Sequence, residues 1–251
     1  FISLPGATLV TGRFAEAKGI LRSFARYQQT DTASEDYGRI PNIVTTTTKA
    51  YNTADGTPRF VMMAREYVER SGDSSFIDEI YDVIQRATDG TLTRHCDSLG
   101  FLTHADAETW MDAVGPEGPW SPRGNRANDI QALWAGQLES SIWCARERND
   151  SLAAERWQRA LERLKTDFQR LFVTPDGGGV FDHLNADGTP DPLLRPNQIF
   201  ATHLLDDSTR AKVVHTVFNN LTYEYGVASL SQDEENFHPY HQFEPYYPKD
   251  A

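Results

Sequence analysis

Cysteine is scarce in this sequence, which holds only Cys96 and Cys144 among 251 residues. Two cysteines cannot build the disulfide framework of a small secreted domain, nor a cysteine-based metal cluster. We therefore expect both side chains to be buried, reduced thiols, which fits a reducing compartment.

Basic residues and long apolar runs are also lacking. The 24 Lys and Arg residues are outnumbered by 36 Asp and Glu residues, and the net charge is −12. This charge argues against a nucleic-acid partner, because a phosphate backbone needs a basic face. No apolar run approaches the roughly 20 residues of a membrane span, so no membrane partner is expected. An acidic protein is compatible with a neutral ligand such as a carbohydrate.

The ends of the sequence carry no leader signals. It begins at Phe1 without a charged region or a signal-peptide core, and it ends at Ala251 just after an aromatic-rich run. We interpret the sequence as a segment of a longer protein. Its length fits one large domain or two small ones.

Apolar residues recur at spacings of three and four along most of the chain, the pattern of amphipathic helices. The clearest stripe consists of Trp157, Leu161, Leu164, Phe168 and Leu171. Similar stripes predict helices at 14–24, 60–67, 77–84, 130–142, 197–205 and 208–221. The chain is therefore predicted to be mostly α.

Helix caps and short strands complete the predicted secondary structure. Thr57, with Pro58 after it, is the expected N-cap of the second helix. The third should be capped by Ser74 or Ser75. Short strand signals at 100–102 and 180–182 predict small hairpins, whereas the strand and helix alternation of a βαβ fold is absent.

The connections between the predicted helices are of two kinds. Those at 71–74 and 148–150 are tight, which favours antiparallel helix pairs. Those at 28–52, 90–128 and 173–196 are far longer than packing requires. Functional residues usually lie in such loops.

The segment Thr109-Trp110-Met111-Asp112 places an acid beside a large aromatic residue in one of these loops. An acid on a helix face is usually only solvated. An indole beside it supplies apolar surface and a flat face on which a sugar ring can stack. A carboxyl group in such surroundings is typical of a glycosidase proton donor.

The long loops and the residues that border them carry a further load of polar and aromatic residues. They contain Arg39, Asn42, Tyr51, Asn52, Asp55, Trp120, Arg123, Arg195, Asn197 and Gln198. If the helices stack as a ring of hairpins, these loops meet at one end. Aromatic faces, acids, amides and guanidinium groups together form the mixture that sugars require.

A set of short motifs covers almost the whole chain in a fixed order. They are Leu4-Pro5-Gly6, Thr11-Gly12-Arg13, Ile40-Pro41-Asn42, Tyr51-Asn52 with Asp55, Thr109-Trp110-Met111-Asp112, Pro122-Arg123, Ala132-Leu133-Trp134 and Arg195-Pro196-Asn197-Gln198. In this order they resemble the amylo-α-1,6-glucosidase domain of glycogen debranching enzymes. The resemblance implies an all-α (α/α)6 toroid of helical hairpins, of which residues 1–251 are an incomplete part, with minor short hairpins in its loops.

The resemblance also implies an activity and a site. The activity is inverting hydrolysis of the α-1,6 branch points of glycogen-type α-glucan, with Asp112 as the general acid. The implied substrate-binding residues are Trp110, Tyr51, Asn52, Asp55, Arg123, Asp129, Arg195, Asn197 and Gln198. No cofactor or metal is implied, and the implied location is the cytoplasm.

An inverting enzyme needs a second carboxylate as its base, roughly 6.5–9.5 Å from the acid. Glu234, Glu235 and Glu244 belong to no matching motif, so we expect the base to follow Ala251 and the segment alone to be inactive. One departure concerns Asp129-Ile130-Gln131, where the family often has Glu-Ile-Asn. A shorter acid and a longer amide could move a hydrogen bond to substrate.

Each candidate also has a purely structural interpretation. Asp112 could cap backbone amides, although the motif order favours catalysis. Trp110 is equally well a sugar platform or a core anchor. Residues 51–55 could be a turn that leads to Thr57, and Trp134 lies on an apolar stripe that predicts packing.

The same residues are compatible with other functions and sites. A related toroid glycosidase acting on trehalose, sucrose or terminal α-glucosides is one alternative, and an inactive carbohydrate-binding module is another. His238 and His241 flank Pro239-Tyr240 without an obvious third ligand, so a metal site is not favoured.

Overall fold

A computed structural model of the chain describes residues 1–239. Tyr240, His241 and Glu244 lie outside the described residues. The chain forms two compact units, which are described separately. The first unit comprises Phe1–Leu102 and Leu133–Leu164, and the second comprises Thr103–Ala132 and the chain from Lys165 onward.

The predicted helices are present at nearly the predicted positions. They are α1 Phe14–Ala25, α2 Gly56–Ser71, α3 Ser75–Gly90, α4 Asn128–Glu147, α5 Ser151–Phe172 and α6 Asp207–Leu221. Single turns of π-helix, which the periodicity did not predict, occur at Pro5–Leu9 and Thr91–His95. Among the described residues, no helix combines the length and the apolar character needed to cross a membrane.

The apolar stripes of α1, α2 and α3 form the core of the first unit. Leu21, Phe60, Phe76 and Ile84 are fully buried there. Trp134 is also fully buried, and its Nε1 donates to the Gly100 carbonyl at 3.2 Å. The prediction that Trp134 is a packing residue is therefore confirmed.

The predicted cap of α2 is wrong. The helix begins at Gly56 with Asp55 as its N-cap residue. Thr57 lies inside the first turn, where its hydroxyl oxygen accepts the backbone N–H of Ile40 at 2.9 Å. Thr57 therefore ties the preceding loop to the helix. Ser74 is the N-cap residue of α3, although its side chain makes no capping hydrogen bond.

The second unit contains α6 and a 3-10 helix, Pro196–Leu204, which pack against each other. Sequence periodicity predicted a helix there without its type. Gln198, Ala201 and Leu204 are buried at intervals of three residues, which matches the three residues per turn of a 3-10 helix. Asp206 caps α6 by accepting backbone N–H groups of the first turn.

The strands are short antiparallel pairs. They are β1 Ile43–Val44 with β2 Lys49–Ala50, β3 Val114–Gly115 with β4 Gly118–Pro119, β5 Arg126–Ala127 with β6 His183–Leu184, and β7 Thr222–Tyr223 with β8 Gly226–Val227. The hairpins predicted at 100–102 and 180–182 are reduced to single bridges, Cys96 to Leu102 and Val173 to Val180.

Both cysteines are free. Cys144 is buried, and burial raises the pKa of its thiol to about 12. Cys96 is half-buried, so the expectation of full burial is wrong for this residue.

Candidate active site

The loop that carries Asp112 alternates between buried and exposed side chains. Thr109 and Met111 are 4% and 6% exposed, whereas Trp110 is 49% exposed and Asp112 is also exposed. The Thr109 hydroxyl accepts the Met111 backbone N–H at 3.2 Å, which fixes the turn from inside. The loop therefore presents an indole and a carboxylate on the outside while two neighbouring side chains anchor it.

A hairpin follows Asp112 immediately. Strands β3 and β4 pair Val114 with Pro119 and Gly115 with Gly118. After β4, Trp120 donates its backbone N–H to the Ala113 carbonyl at 3.0 Å and so extends the pairing of the hairpin. Its indole lies so close to Gly115 that a Cβ atom there would overlap Trp120 Nε1. Only glycine fits this contact.

The exposed indole of Trp110 is held by a buried amide. Trp110 Nε1 donates to Asn197 Oδ1 at 3.0 Å. Asn197 is fully buried at the start of the 3-10 helix, and its Nδ2 donates to Asp182 Oδ1 at 2.9 Å. A hydrogen-bonded chain thus leads from the surface of the second unit to a buried acid.

Asp182 belongs to a buried ion cluster with Arg123 and Asp129. Arg123 Nε lies 2.6 Å from Asp182 Oδ2, and Arg123 Nη2 donates to Asp129 Oδ1 at 2.7 Å. The side chains of the three residues are at most 6% exposed. Ionised side chains are tolerated in a protein interior when oppositely charged partners compensate for their lost hydration.

The electrostatics of the cluster favour the ionised forms. Burial acts to raise the pKa of Asp182, but the charge of Arg123 and the hydrogen bond from Asn197 hold it below its ordinary value. Burial acts to lower the pKa of Arg123, whereas the two carboxylates raise it above its ordinary value. Each group therefore keeps its charge because of its partners.

Two histidines lie around this cluster, one bonded to the backbone and one beside Asp182. His104 is buried, its Nε2 accepts the Ala127 N–H at 2.8 Å, and its Nδ1 lies 3.0 Å from the Ala105 carbonyl. Its proton must therefore be on Nδ1, and burial lowers its pKa. His183 Nδ1 lies 3.3 Å from Asp182 Oδ2. In residues 1–239, no three side chains of His, Cys, Asp or Glu form a group able to hold a metal ion.

The family model of amylo-alpha-1,6-glucosidase matches residues 1–247 of this chain. The chain belongs to the amylo-α-1,6-glucosidase family. No curated protein sequence matches it.

Solved structures resemble the amylo-α-1,6-glucosidase domain in fold. A GH78-family rhamnosidase of Bacillus sp. GL1 matches with a TM-score of 0.56 and 16% identity over 66% of this chain. A Klebsiella oxytoca rhamnosidase with rhamnose bound gives 0.57 and 18% over 73%, and an uncharacterized conserved protein from Thermus thermophilus gives 0.67 and 13% over 87%.

These structures are longer than this chain. It spans 17% and 34% of the two rhamnosidases and 68% of the Thermus protein. At these identities the matches show the fold, which is the predicted mostly helical (α/α)6 class of packed helical hairpins.

Seven of the predicted site residues lie in the second unit of this glucosidase-family domain. Trp110, Asn197, Arg123 and Asp129 form one chain of contacts with Asp182, as described above. The exposure of Trp110 excludes the core-anchor interpretation. Asp112 lies two residues later in the same loop and is also exposed.

The other two residues in this unit support the backbone. Gln198 is buried, its Oε1 accepts the Val180 N–H at 3.1 Å, and its Nε2 donates to the Arg195 carbonyl at 2.9 Å. Arg195 is also buried, and its Nη1 donates to the Ser229 carbonyl at 3.3 Å. Their predicted contact with substrate stays a prediction.

The three remaining residues belong to the first unit. Tyr51 donates its hydroxyl to the Tyr27 carbonyl at 2.7 Å, and Asp55 pairs with Arg59 at 3.1 Å. Asn52 is exposed. Asp55 thus has a structural role at the start of α2, while a substrate role for the three residues stays a prediction.

The sequence did not reveal the roles of Asp182 and His183. The segment 180–182 was interpreted as a strand signal, and it belongs to no motif. The available signal was Arg123, because a buried arginine needs acidic partners. Among 36 acidic residues, that requirement alone does not select Asp182.

Proposed function

We propose that this chain carries the catalytic acid of an inverting glycoside hydrolase that cleaves α-1,6-glucosidic branch points in glycogen-type α-glucan. The observation that carries the proposal is the exposed pair of Trp110 and Asp112 on one anchored loop. Membership of the amylo-α-1,6-glucosidase family supports the substrate and the reaction.

In the proposed reaction, Asp112 donates its proton to the departing glycosidic oxygen. A sugar ring stacked on Trp110 is held in a fixed position relative to the Asp112 carboxyl group. The ring also excludes water from one side of that group. A second carboxylate activates the attacking water on the opposite face of the ring, with the spacing of an inverting enzyme.

The remaining predicted ligands extend this proposal. Within the first unit, Asn52 is exposed, so its amide is accessible to sugar hydroxyls, and Tyr51 and Asp55 lie within a few residues of it. Arg195 and Gln198 flank Asn197 in sequence and complete the proposed set. Neither a cofactor nor a metal is needed for this chemistry.

The decisive experiment measures glucose release by the full-length protein from a glucosyl-α-1,6-branched maltooligosaccharide. Trehalose and sucrose are tested in parallel. The proposed enzyme releases glucose from the branched substrate only, and proton NMR detects β-glucose as the first product because the α-linkage is inverted. Release from a disaccharide would instead support the related toroid glycosidase, and binding without turnover would support the carbohydrate-binding module.

The acid is tested with Asp112→Asn, which keeps the shape of the side chain and removes the proton. General acid catalysis contributes about 10²- to 10⁴-fold, so kcat should fall by that factor. Asp106→Asn, in the same loop, is the matched control and should leave kcat unchanged. Full turnover by Asp112→Asn would reject the assignment of the acid.

A further inference from the structure

The indole of Trp110 is half exposed, yet its only polar atom is engaged. A loop tryptophan without such a bond can rotate about its side-chain torsions. Here Nε1 donates to Asn197 Oδ1 at 3.0 Å, and Asn197 is fully buried. One edge of the ring is therefore fixed to the interior of the second unit while its face stays open.

The orientation of the Asn197 amide follows from the chemistry of its two neighbours. An indole N–H can only donate, and an ionised carboxylate can only accept. The amide must therefore present its oxygen to Trp110 and its nitrogen to Asp182, as the bonds of 3.0 and 2.9 Å require. A flipped amide would lose both bonds.

Asp182 is fixed in turn by the ion cluster. Arg123 Nε lies 2.6 Å from Asp182 Oδ2, and its Nη2 donates to Asp129 Oδ1 at 2.7 Å. Because Arg123 is buried between Asp182 and Asp129 and pairs with both, it fixes Asp182 from the interior.

We infer that Asn197 and Asp182 are positioning residues that hold the indole of Trp110 beside Asp112, with Arg123 and Asp129 as their buried anchor. The value of such support is geometric, because a stacking surface is useful only when its orientation is fixed before substrate arrives. The catalytic consequence rests on the proposed function. The ordering of the indole does not.

The first test uses the unaltered full-length protein and measures hydrogen exchange of the tryptophan indole N–H groups by NMR. The Trp110 signal is assigned from its loss in Trp110→Phe. We expect the Trp110 N–H to exchange at least tenfold more slowly than that of a free indole, despite the exposure of the ring. Exchange at the rate of a free indole would overturn the inference.

The second test labels the protein with 5-fluorotryptophan and records ¹⁹F NMR spectra. In Asn197→Ala the Trp110 resonance should shift and broaden, whereas those of Trp134 and Trp157 should stay in place. Asn219→Ala, an exposed amide on α6, is the matched control and should change none of them. A sharp, unshifted Trp110 resonance in folded Asn197→Ala would contradict the positioning role.

The catalytic consequence is read separately. Asn197→Ala should lower kcat/KM on the branched substrate by about 10- to 100-fold, the scale of a misplaced contact near a reacting group. Asp112→Asn should leave the exchange rate of the Trp110 indole N–H unchanged, because its bond to Asn197 does not involve Asp112. If the protein hydrolyses no α-glucan, the proposed function fails, while the exchange and fluorine measurements still decide the positioning.

Discussion

Two tryptophans, one in each unit, each donate an indole N–H hydrogen bond, but one ring is buried and the other is half exposed. Trp157 in the first unit is fully buried and donates its Nε1 to Asp89 Oδ1 at 2.9 Å. Trp110 in the second unit is half exposed and donates to Asn197. The first bond satisfies a donor in a core. The second holds a ring whose face is open, which shows that exposure, and not the hydrogen bond, distinguishes a candidate binding surface from a packing residue.

The residues that accept these two hydrogen bonds, together with their charged partners, also differ in burial, but in the opposite sense to the rings. Asp89 pairs with Arg156 at 2.8 Å, and both side chains are partly exposed. Asn197 is supported by Asp182 and Arg123, which are buried. The exposed ring thus has the buried anchor, and the buried ring has the exposed one. A half-exposed ring on a loop needs a rigid support, whereas a ring in a core is held by packing on every side.

The largest expected effect separates the two anchors. Arg123→Leu leaves two carboxylates buried without their cation and should lower the free energy of unfolding by about 3–5 kcal/mol. Arg156→Leu removes an exposed pair and should cost about 1 kcal/mol. Chemical denaturation of both variants measures the difference. Equal losses would show that burial does not separate the two anchors.

A second comparison concerns glycines, one in each unit. Gly115→Ala drives a methyl group into the Trp120 indole and should destabilise the protein by about 1–3 kcal/mol. Gly19→Ala on the exposed side of α1 meets nothing within 4 Å and should stabilise it by about 0.5–1 kcal/mol, because alanine favours helix. Thermal melting of the two variants should give shifts of opposite sign. A stabilised Gly115→Ala would disprove the close contact.

A third comparison concerns the pH dependence of stability. Burial lowers the pKa of His104 in the second unit, and it lowers that of His95 in the first unit to about 4. A lowered folded-state pKa means that the unfolded chain binds protons first. Stability is therefore complete above the unfolded pKa of about 6.5 and falls below it, at most by about 1.4 kcal/mol per pH unit for each group.

The contribution of each histidine to this pH dependence can be measured by replacing it with glutamine, whose amide can both accept and donate a hydrogen bond. Stability measured between pH 7 and 5 should fall less steeply in His104→Gln and in His95→Gln than in the unaltered protein. An unchanged slope in both variants would exclude these histidines as its source.

The helices could be predicted from the sequence because their signal is local. In α5 the apolar stripe repeats within each turn, so Trp157, Leu161 and Leu164 indicate their own burial. Thr57 was misassigned because its hydroxyl bonds to Ile40, a partner outside the helix. Local pattern therefore predicts that a helix exists better than it predicts how the helix is joined to its surroundings.

The candidate site could be predicted only in part, since its contacts are distant in sequence. Trp110 and Asn197 are 87 residues apart, and nothing in either motif names the other. Motif order selected both residues, and the structure adds the bond between them. Asp182, which joins that pair to Arg123, lies in no motif and was missed for this reason.

The alternation of burial from Thr109 to Asp112 has a consequence for how this loop can change during evolution. Burial changes at each successive residue here, since Thr109 and Met111 are buried whereas Trp110 and Asp112 are exposed. A substitution alters one side chain, whereas inserting or deleting a single residue here would exchange the outward pair with the inward pair. Trp110 and Asp112 would turn inside and their anchors would face solvent. The length of this segment therefore matters as much as its residue types for keeping Trp110 and Asp112 exposed.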